Sequence, residues 1–196
     1  MKETGVVKFN CSWIKDAPLS SELLADLNLW RDKMYGLGFI GVYDDGIGYG
    51  NMSVRAEGKQ FIITGSGTGK YKSLSNEHYT KVVDYDLEKN SLTAVGPVIA
   101  SSESLSHAII YERNKNVNAV IHIHNLFLWK KLLDKIPTTN KSIEYGTPDM
   151  AKEILRLFDE TKVAEIQMLV MAGHEEGLIS FGKDLHEAGN QLLNVL

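Results

Sequence analysis

Ala119-Val120-Ile121-His122-Ile123-His124-Asn125 is the stretch on which the reading of this chain turns. The run is apolar and rich in β-branched residues, a pattern that predicts a buried strand. Histidine interrupts it twice, two positions apart, and alternate residues of a strand point to the same face. His122 and His124 are therefore expected to project side by side. Two imidazoles so placed can share one metal ion, and Zn²⁺ is commonly bound through such nitrogens. A pair of partly buried histidines satisfied by hydrogen bonds gives the same pattern, so partners elsewhere in the chain must decide.

The chain as a whole narrows the classes. Its 196 residues suit one domain, 1–196, with 43% hydrophobic and 23% charged residues, as in ordinary soluble globular proteins. A net charge of −4 supplies no basic field for nucleic acid. Cys11 is the single cysteine, so no internal disulfide forms and no oxidising compartment is implied. Met1-Lys2-Glu3-Thr4 is followed by no long apolar segment, and no apolar run approaches the roughly 18 residues of a membrane span. The expectation is a cytoplasmic protein with no membrane partner.

Working outward, a strand is expected at Val6–Phe9, and a helix begins after Pro18-Leu19-Ser20-Ser21-Glu22. Leu23, Leu27, Trp30 and Met34 recur along it at helical spacing and read as core. Gly41 to Gly50, with four glycines and two aspartates, reads as a turn-rich connection. Strands follow at Gly50–Arg55 and Phe61–Thr64 across Glu57-Gly58-Lys59. The second runs into Gly65-Ser66-Gly67-Thr68-Gly69-Lys70, whose glycines let backbone N–H groups approach an anion. The Walker A spacing is absent, and taken alone the loop reads better as a plain turn than as a phosphate site.

Val82–Asp86 and Ser91–Ala94 read as another strand pair. Ser101 and Ser102 are expected to cap a helix that carries Glu103 in its first turn, with His107 one turn on. A capped N-terminus with two hydroxyls is also an anion site. A helix at Phe127–Leu133, one at Met150–Phe158, strands at Gln167–Met171 and Leu178–Phe181, and a final helix at Asp184–Val195 complete the chain. His174 lies in the turn between the last two strands, where function concentrates. His78 and His186 lie in polar contexts and read as solvated.

These segments together resemble the class II aldolase/adducin family. The resemblance rests on Gly50-Asn51-Met52-Ser53-Val54-Arg55, Thr64-Gly65-Ser66-Gly67, Ser101-Ser102-Glu103, Asn118 through His124, and Gly173-His174 followed by Leu178-Ile179-Ser180-Phe181-Gly182-Lys183. It implies a three-layer α/β/α sandwich around a mainly antiparallel sheet, and a homotetramer. It further implies that His122, His124 and His174 are zinc ligands and Glu103 the catalytic carboxylate. Asn51, Ser66, Gly67, Ser101 and Ser102 become the cradle for a substrate phosphate. Three neutral histidines leave Zn²⁺ an open position, as in catalytic rather than structural sites. The chemistry then expected is that of a lyase that makes or breaks an aldol bond in a phosphorylated ketose. The ion would stabilise enediolate charge and Glu103 would shuttle a proton.

A ketose-1-phosphate dehydratase, such as one acting on methylthioribulose 1-phosphate, uses nearly the same groups. An adducin-like interaction module is the non-catalytic alternative. Two departures stand out. Glu175-Glu176 lengthens the turn after His174, where many members have His-Gly, and the longer C-terminal tail whose tyrosine serves the sugar-phosphate aldolases is absent. Tyr145 is the substitute proposed for that tyrosine.

Overall fold

A computed structural model describes residues 10–196; the strand expected at Val6–Phe9 lies outside the described residues. The elements in chain order are β1 (Asn10–Ile14), α1 (Ser21–Gly36), β2 (Gly41–Val42), β3 (Gly48–Tyr49), β4 (Asn51–Arg55), β5 (Phe61–Thr64), β6 (Tyr79–Asp86) and β7 (Ser91–Val95). There follow α2 (Ser104–Arg113), β8 (Ala119–His124), α3 (Leu126–Leu132), α4 (Pro148–Glu160), α5 (Val163–Ile166), β9 (Met168–Val170), β10 (Gly177–Gly182) and α6 (Leu185–Leu193). Among the described residues, eight strands form one sheet in the order β1-β7-β6-β5-β4-β8-β10-β9, and β2 pairs with β3 in a separate ribbon. β1 runs parallel to β7, and every other pairing in the large sheet is antiparallel.

Alternation along the strands divides the core into two layers. Ala119, Ile121 and Ile123 of β8 pack with Leu24, Leu27 and Met34 of α1, Leu128 of α3, and Ala188 and Leu192 of α6. Val120 turns the other way, into the cluster of Leu105 and Ile109 of α2 with Ile154 and Leu157 of α4. Helices thus cover both faces, giving a mixed α/β sandwich with three layers. β8 is buried along its whole length, as expected of a central strand covered on both sides.

The expected elements are present with small shifts, and two differences are instructive. In α1 it is Leu24, not Leu23, that joins Leu27, Trp30 and Met34 in the interior; Leu23 is exposed. Arg31 is also buried on that face. The helix after the paired serines begins at Ser104, so Glu103 occupies the cap position rather than the first turn.

The register brings four strand ends to one place. Asn51 at the start of β4 pairs with His122, and Gly177 at the start of β10 pairs with His124. Thr64 closes β5 beside them, and the bridge between Gly65 and Ala100 carries the chain toward the N-terminus of α2.

Candidate active site

His122 and His124 leave β8 on the α2 side of the sheet, as the two-residue period requires. Their Nε2 atoms are 3.1 Å apart, and that of His174, from the turn between β9 and β10, is 2.9 Å from His124 Nε2. The three sequence-predicted histidines are thus brought together, with one nitrogen from each inside a 4.8 Å cluster. Gly177 lets them meet: a Cβ there would lie 2.8 Å from the His174 ring and 3.3 Å from that of His122. Gly173 is equally constrained, since a Cβ would run into the backbone carbonyl of Ile143. That contact sets the 143–146 segment over the turn, and the Tyr145 ring lies 4.1 Å from that of His174.

The far side of each ring decides what the near side offers. His122 Nδ1 is 3.0 Å from the carbonyl of Leu178. A carbonyl only accepts, so Nδ1 donates and the neutral ring turns the lone pair of Nε2 inward. Burial holds it neutral, pushing its pKa down to about 4 against the weaker opposing effect of the Leu178 carbonyl. The Tyr43 hydroxyl donates to Glu176 at 2.5 Å and lies 2.7 Å from His124 Nδ1. Its single proton being committed, it accepts from His124, whose Nε2 lone pair also points inward. Burial, followed by the Glu176 hydrogen bond and charge, raises the Tyr43 pKa and keeps that proton in place.

Two lone pairs facing each other at 3.1 Å repel unless a cation lies between them. Burial opposes a proton there. A Zn²⁺ bound by nitrogens at about 2.0–2.1 Å would space tetrahedral ligands by roughly 3.3 Å, close to what these rings present. The donor set therefore fits a divalent ion. Three ligands leave room for substrate.

The remaining predicted residues line the same pocket. Asn51, Ser66, Gly67, Ser101, Ser102, Glu103 and Tyr145 surround it together with the three histidines. Glu103 is buried at the cap of α2, accepting from Ser106 Oγ at 3.0 Å. Ser66 N–H donates to the Ile99 carbonyl at 2.9 Å, which ties the glycine loop to the segment before Ser101. Gly67 has φ +70° with open space where a Cβ would be. Asn51 Oδ1 is buried at the pocket with no protein hydrogen-bond partner. Among the described residues lining the pocket, none is lysine or arginine.

Tyr43, Tyr49 and Arg31 escaped the sequence reading, and Glu176 was read as a turn carboxylate more in keeping with solvent than with the metal. Tyr43 and Tyr49 stand beside His124, the Tyr49 ring 5.4 Å from it and 4.5 Å from that of Tyr43. Glu176 completes the hydrogen-bond chain to His124. Arg31, from α1, donates to the carbonyls of Lys72, Thr68 and Gly69 at 2.6, 3.3 and 3.4 Å, gripping the glycine loop from outside the pocket. For Tyr43 and Glu176 the available signals were an aromatic inside a glycine-rich connection and the two extra residues after His174. Nothing in the pattern marked Arg31. His107, to which the pattern assigns no role, is fully buried behind the site; it bonds Ser53 Oγ at 2.7 Å, and burial, aided by nearby His122, holds its pKa well below the usual histidine range.

A sheet of this order, with helices on both faces and three histidines joined to a capped helix, defines the class of protein. The chain belongs to the class II aldolase and adducin N-terminal domain family, whose model matches residues 44–195. It is 29% identical over 153 residues to L-fuculose phosphate aldolase of Methanocaldococcus jannaschii, covering 71% of this chain and 75% of that one. It is 30% identical over 102 residues to 3-oxo-tetronate 4-phosphate decarboxylase of Haemophilus influenzae, covering 52% and 45%. The crystal structure of L-fuculose-1-phosphate aldolase from Thermus thermophilus superimposes with a TM-score of 0.63 at 22% identity, over 90% of each chain. That last similarity speaks for the fold.

Proposed function

We propose that this protein is a zinc-dependent lyase that makes or breaks a carbon–carbon bond next to the carbonyl of a phosphorylated ketose. The observation that carries the proposal is the pair of inward lone pairs on His122 and His124, 3.1 Å apart, with His174 beside them.

His122, His124 and His174 hold the ion, which when bound acts as a Lewis acid toward the substrate carbonyl and its adjacent hydroxyl. Asn51, Ser66, Gly67, Ser101 and Ser102 hold the phosphate, through hydroxyls, an amide side chain and backbone N–H groups at the start of α2. Fixing both ends of a short substrate orients the reacting carbon toward Glu103. Glu103 takes the proton from that carbon and returns it, acting as base and then acid. Tyr145 is assigned the proton on the aldehyde oxygen, since its ring covers His174 and so borders the position where that oxygen would lie.

A second reading is favoured by the similarity to the 3-oxo-tetronate 4-phosphate decarboxylase. The electron pair left on carbon is the same whether an aldehyde or CO₂ departs, so one set of residues serves both. The deciding experiment supplies Zn²⁺ to the purified protein and offers it ketose 1-phosphates and 3-oxo acid phosphates. Aldehyde release, CO₂ release and water loss are followed in parallel. Aldehyde formation that stops in Glu103→Gln supports the aldolase reading, CO₂ alone moves the assignment to the decarboxylase, and water loss alone moves it to a dehydratase. No turnover and no bound metal would leave the adducin-like interaction module as the better reading.

A further inference from the structure

Tyr43 and Glu176 reach the histidine cluster from separate loops. Tyr43 begins the turn of the β2–β3 ribbon, where its N–H donates to the Ile47 carbonyl and its carbonyl accepts from Gly46, both at 2.9 Å. Glu176 sits between His174 and Gly177 with φ +72°, a left-handed conformation that side chains disfavour. Its carbonyl accepts from Asn125 N–H at 2.9 Å, which fixes the turn against the end of β8. The carboxylate itself lies 4.0 Å from His124 Nδ1, too far for a direct hydrogen bond, and the phenol spans the gap.

The direction of the chain follows from proton count. A phenol has one hydroxyl proton and ionises only near pH 10. That proton goes to Glu176, so His124 donates from Nδ1 to the phenol oxygen.

We infer that Tyr43 and Glu176 are positioning residues that lock His124 in its Nδ1–H tautomer and aim Nε2 at the metal, an inference that rests on the three-histidine reading above. For His122 the carbonyl of Leu178 does the same work, and any sequence in that register provides it. For His124 the Tyr43 phenol stands in that role, backed by Glu176, and the chain places Glu176 on left-handed backbone. Glycine would relax that backbone position and would remove the carboxylate. Outer partners of this kind typically change metal affinity by about 10- to 100-fold when removed.

The test uses full-length protein stripped of metal: wild type, Tyr43→Phe, Glu176→Gln and His124→Ala. Zn²⁺ affinity is measured by competition with a chromophoric chelator, and imidazole ¹⁵N shifts are recorded without metal. Tyr43→Phe should bind Zn²⁺ about 10- to 100-fold more weakly, with His124 shifted toward the Nε2–H form. Glu176→Gln keeps an acceptor oxygen for the phenol and should lose only severalfold. Thermal unfolding of the metal-free proteins separates a lost fold from a lost tautomer, and Glu176→Gln carries the test if Tyr43→Phe does not fold. Wild-type affinity and an unchanged tautomer in both variants, with binding lost only in His124→Ala, would overturn the inference and leave the metal reading intact. Absence of Zn²⁺ binding in wild type as well as His124→Ala would overturn the metal reading first, and the inference with it.

Discussion

The histidine side of the pocket and the serine side hold their groups in different ways. His122 is tied to a strand carbonyl and His124 to a phenol backed by a carboxylate, so each ring has one orientation and one tautomer. Ser66, Gly67, Ser101 and Ser102 sit on loops and at a helix cap, and their loop is gripped from behind by Arg31. A metal ligand must present a particular lone pair, so its side chain has to be fixed. An anion cradle built from amides and hydroxyls requires the backbone path to be held instead. Arg31 holds that path from outside the pocket, bonded to the carbonyls of Thr68, Gly69 and Lys72.

Substitutions on the two sides test that contrast. His122→Ala should have the largest effect: loss of bound zinc by elemental analysis and about a 10³-fold or greater fall in turnover, equivalent to several kcal/mol of lost charge stabilisation. Retained stoichiometric zinc would break the division by placing the ion elsewhere. Glu103→Gln, between the two sides, should lower kcat by about 10²- to 10³-fold with zinc content and KM little changed. A change confined to KM would move Glu103 into the cradle.

Acid should unfold the metal-free protein through His122 and the neighbouring His107. Both are held neutral, with pKa values depressed below the unfolded value of about 6.5. As pH falls from 6.5 towards 4 the unfolded chain takes up protons that the folded chain refuses, so stability drops, by up to about 1.4 kcal/mol per pH unit for each histidine. Denaturant titrations across that window check the slope, and His107→Gln should reduce it. A flat profile would show that the histidine side is more solvated than its burial indicates. Arg31→Met should have the smallest catalytic effect, raising KM about tenfold with kcat and zinc unchanged, alongside a stability loss of about 1–3 kcal/mol from unsatisfied carbonyls. An unchanged KM would mean that the loop holds its path without Arg31.

Much of this was legible in the chain because strands advertise themselves. The two-residue period of β8 places His122 and His124 on one face whatever the rest does, and Asn51 is carried in by the register of β4 on β8. His174 was found through a motif, not a period, since turns have none. Leu23 was misplaced because Leu23 and Leu24 lie four and three residues before Leu27, and both spacings fit one helix face. Tyr43 and Glu176 are 133 positions apart. No local pattern links residues so distant; only the fold makes them neighbours. The start of α2 was placed too early because serine is a favoured cap and glutamate is not, yet Glu103 stands at the cap position without a side-chain cap hydrogen bond.

The turn that carries His174 is closed to side chains at both ends, by the Ile143 carbonyl at Gly173 and by the imidazoles at Gly177. Diversity in this hinge of the site is thereby funnelled into positions 175 and 176. A directed-evolution library restricted to those two codons would vary the turn beside the three histidines and, on the proposed reading, retune the ion's surroundings while leaving His122, His124 and His174 in place.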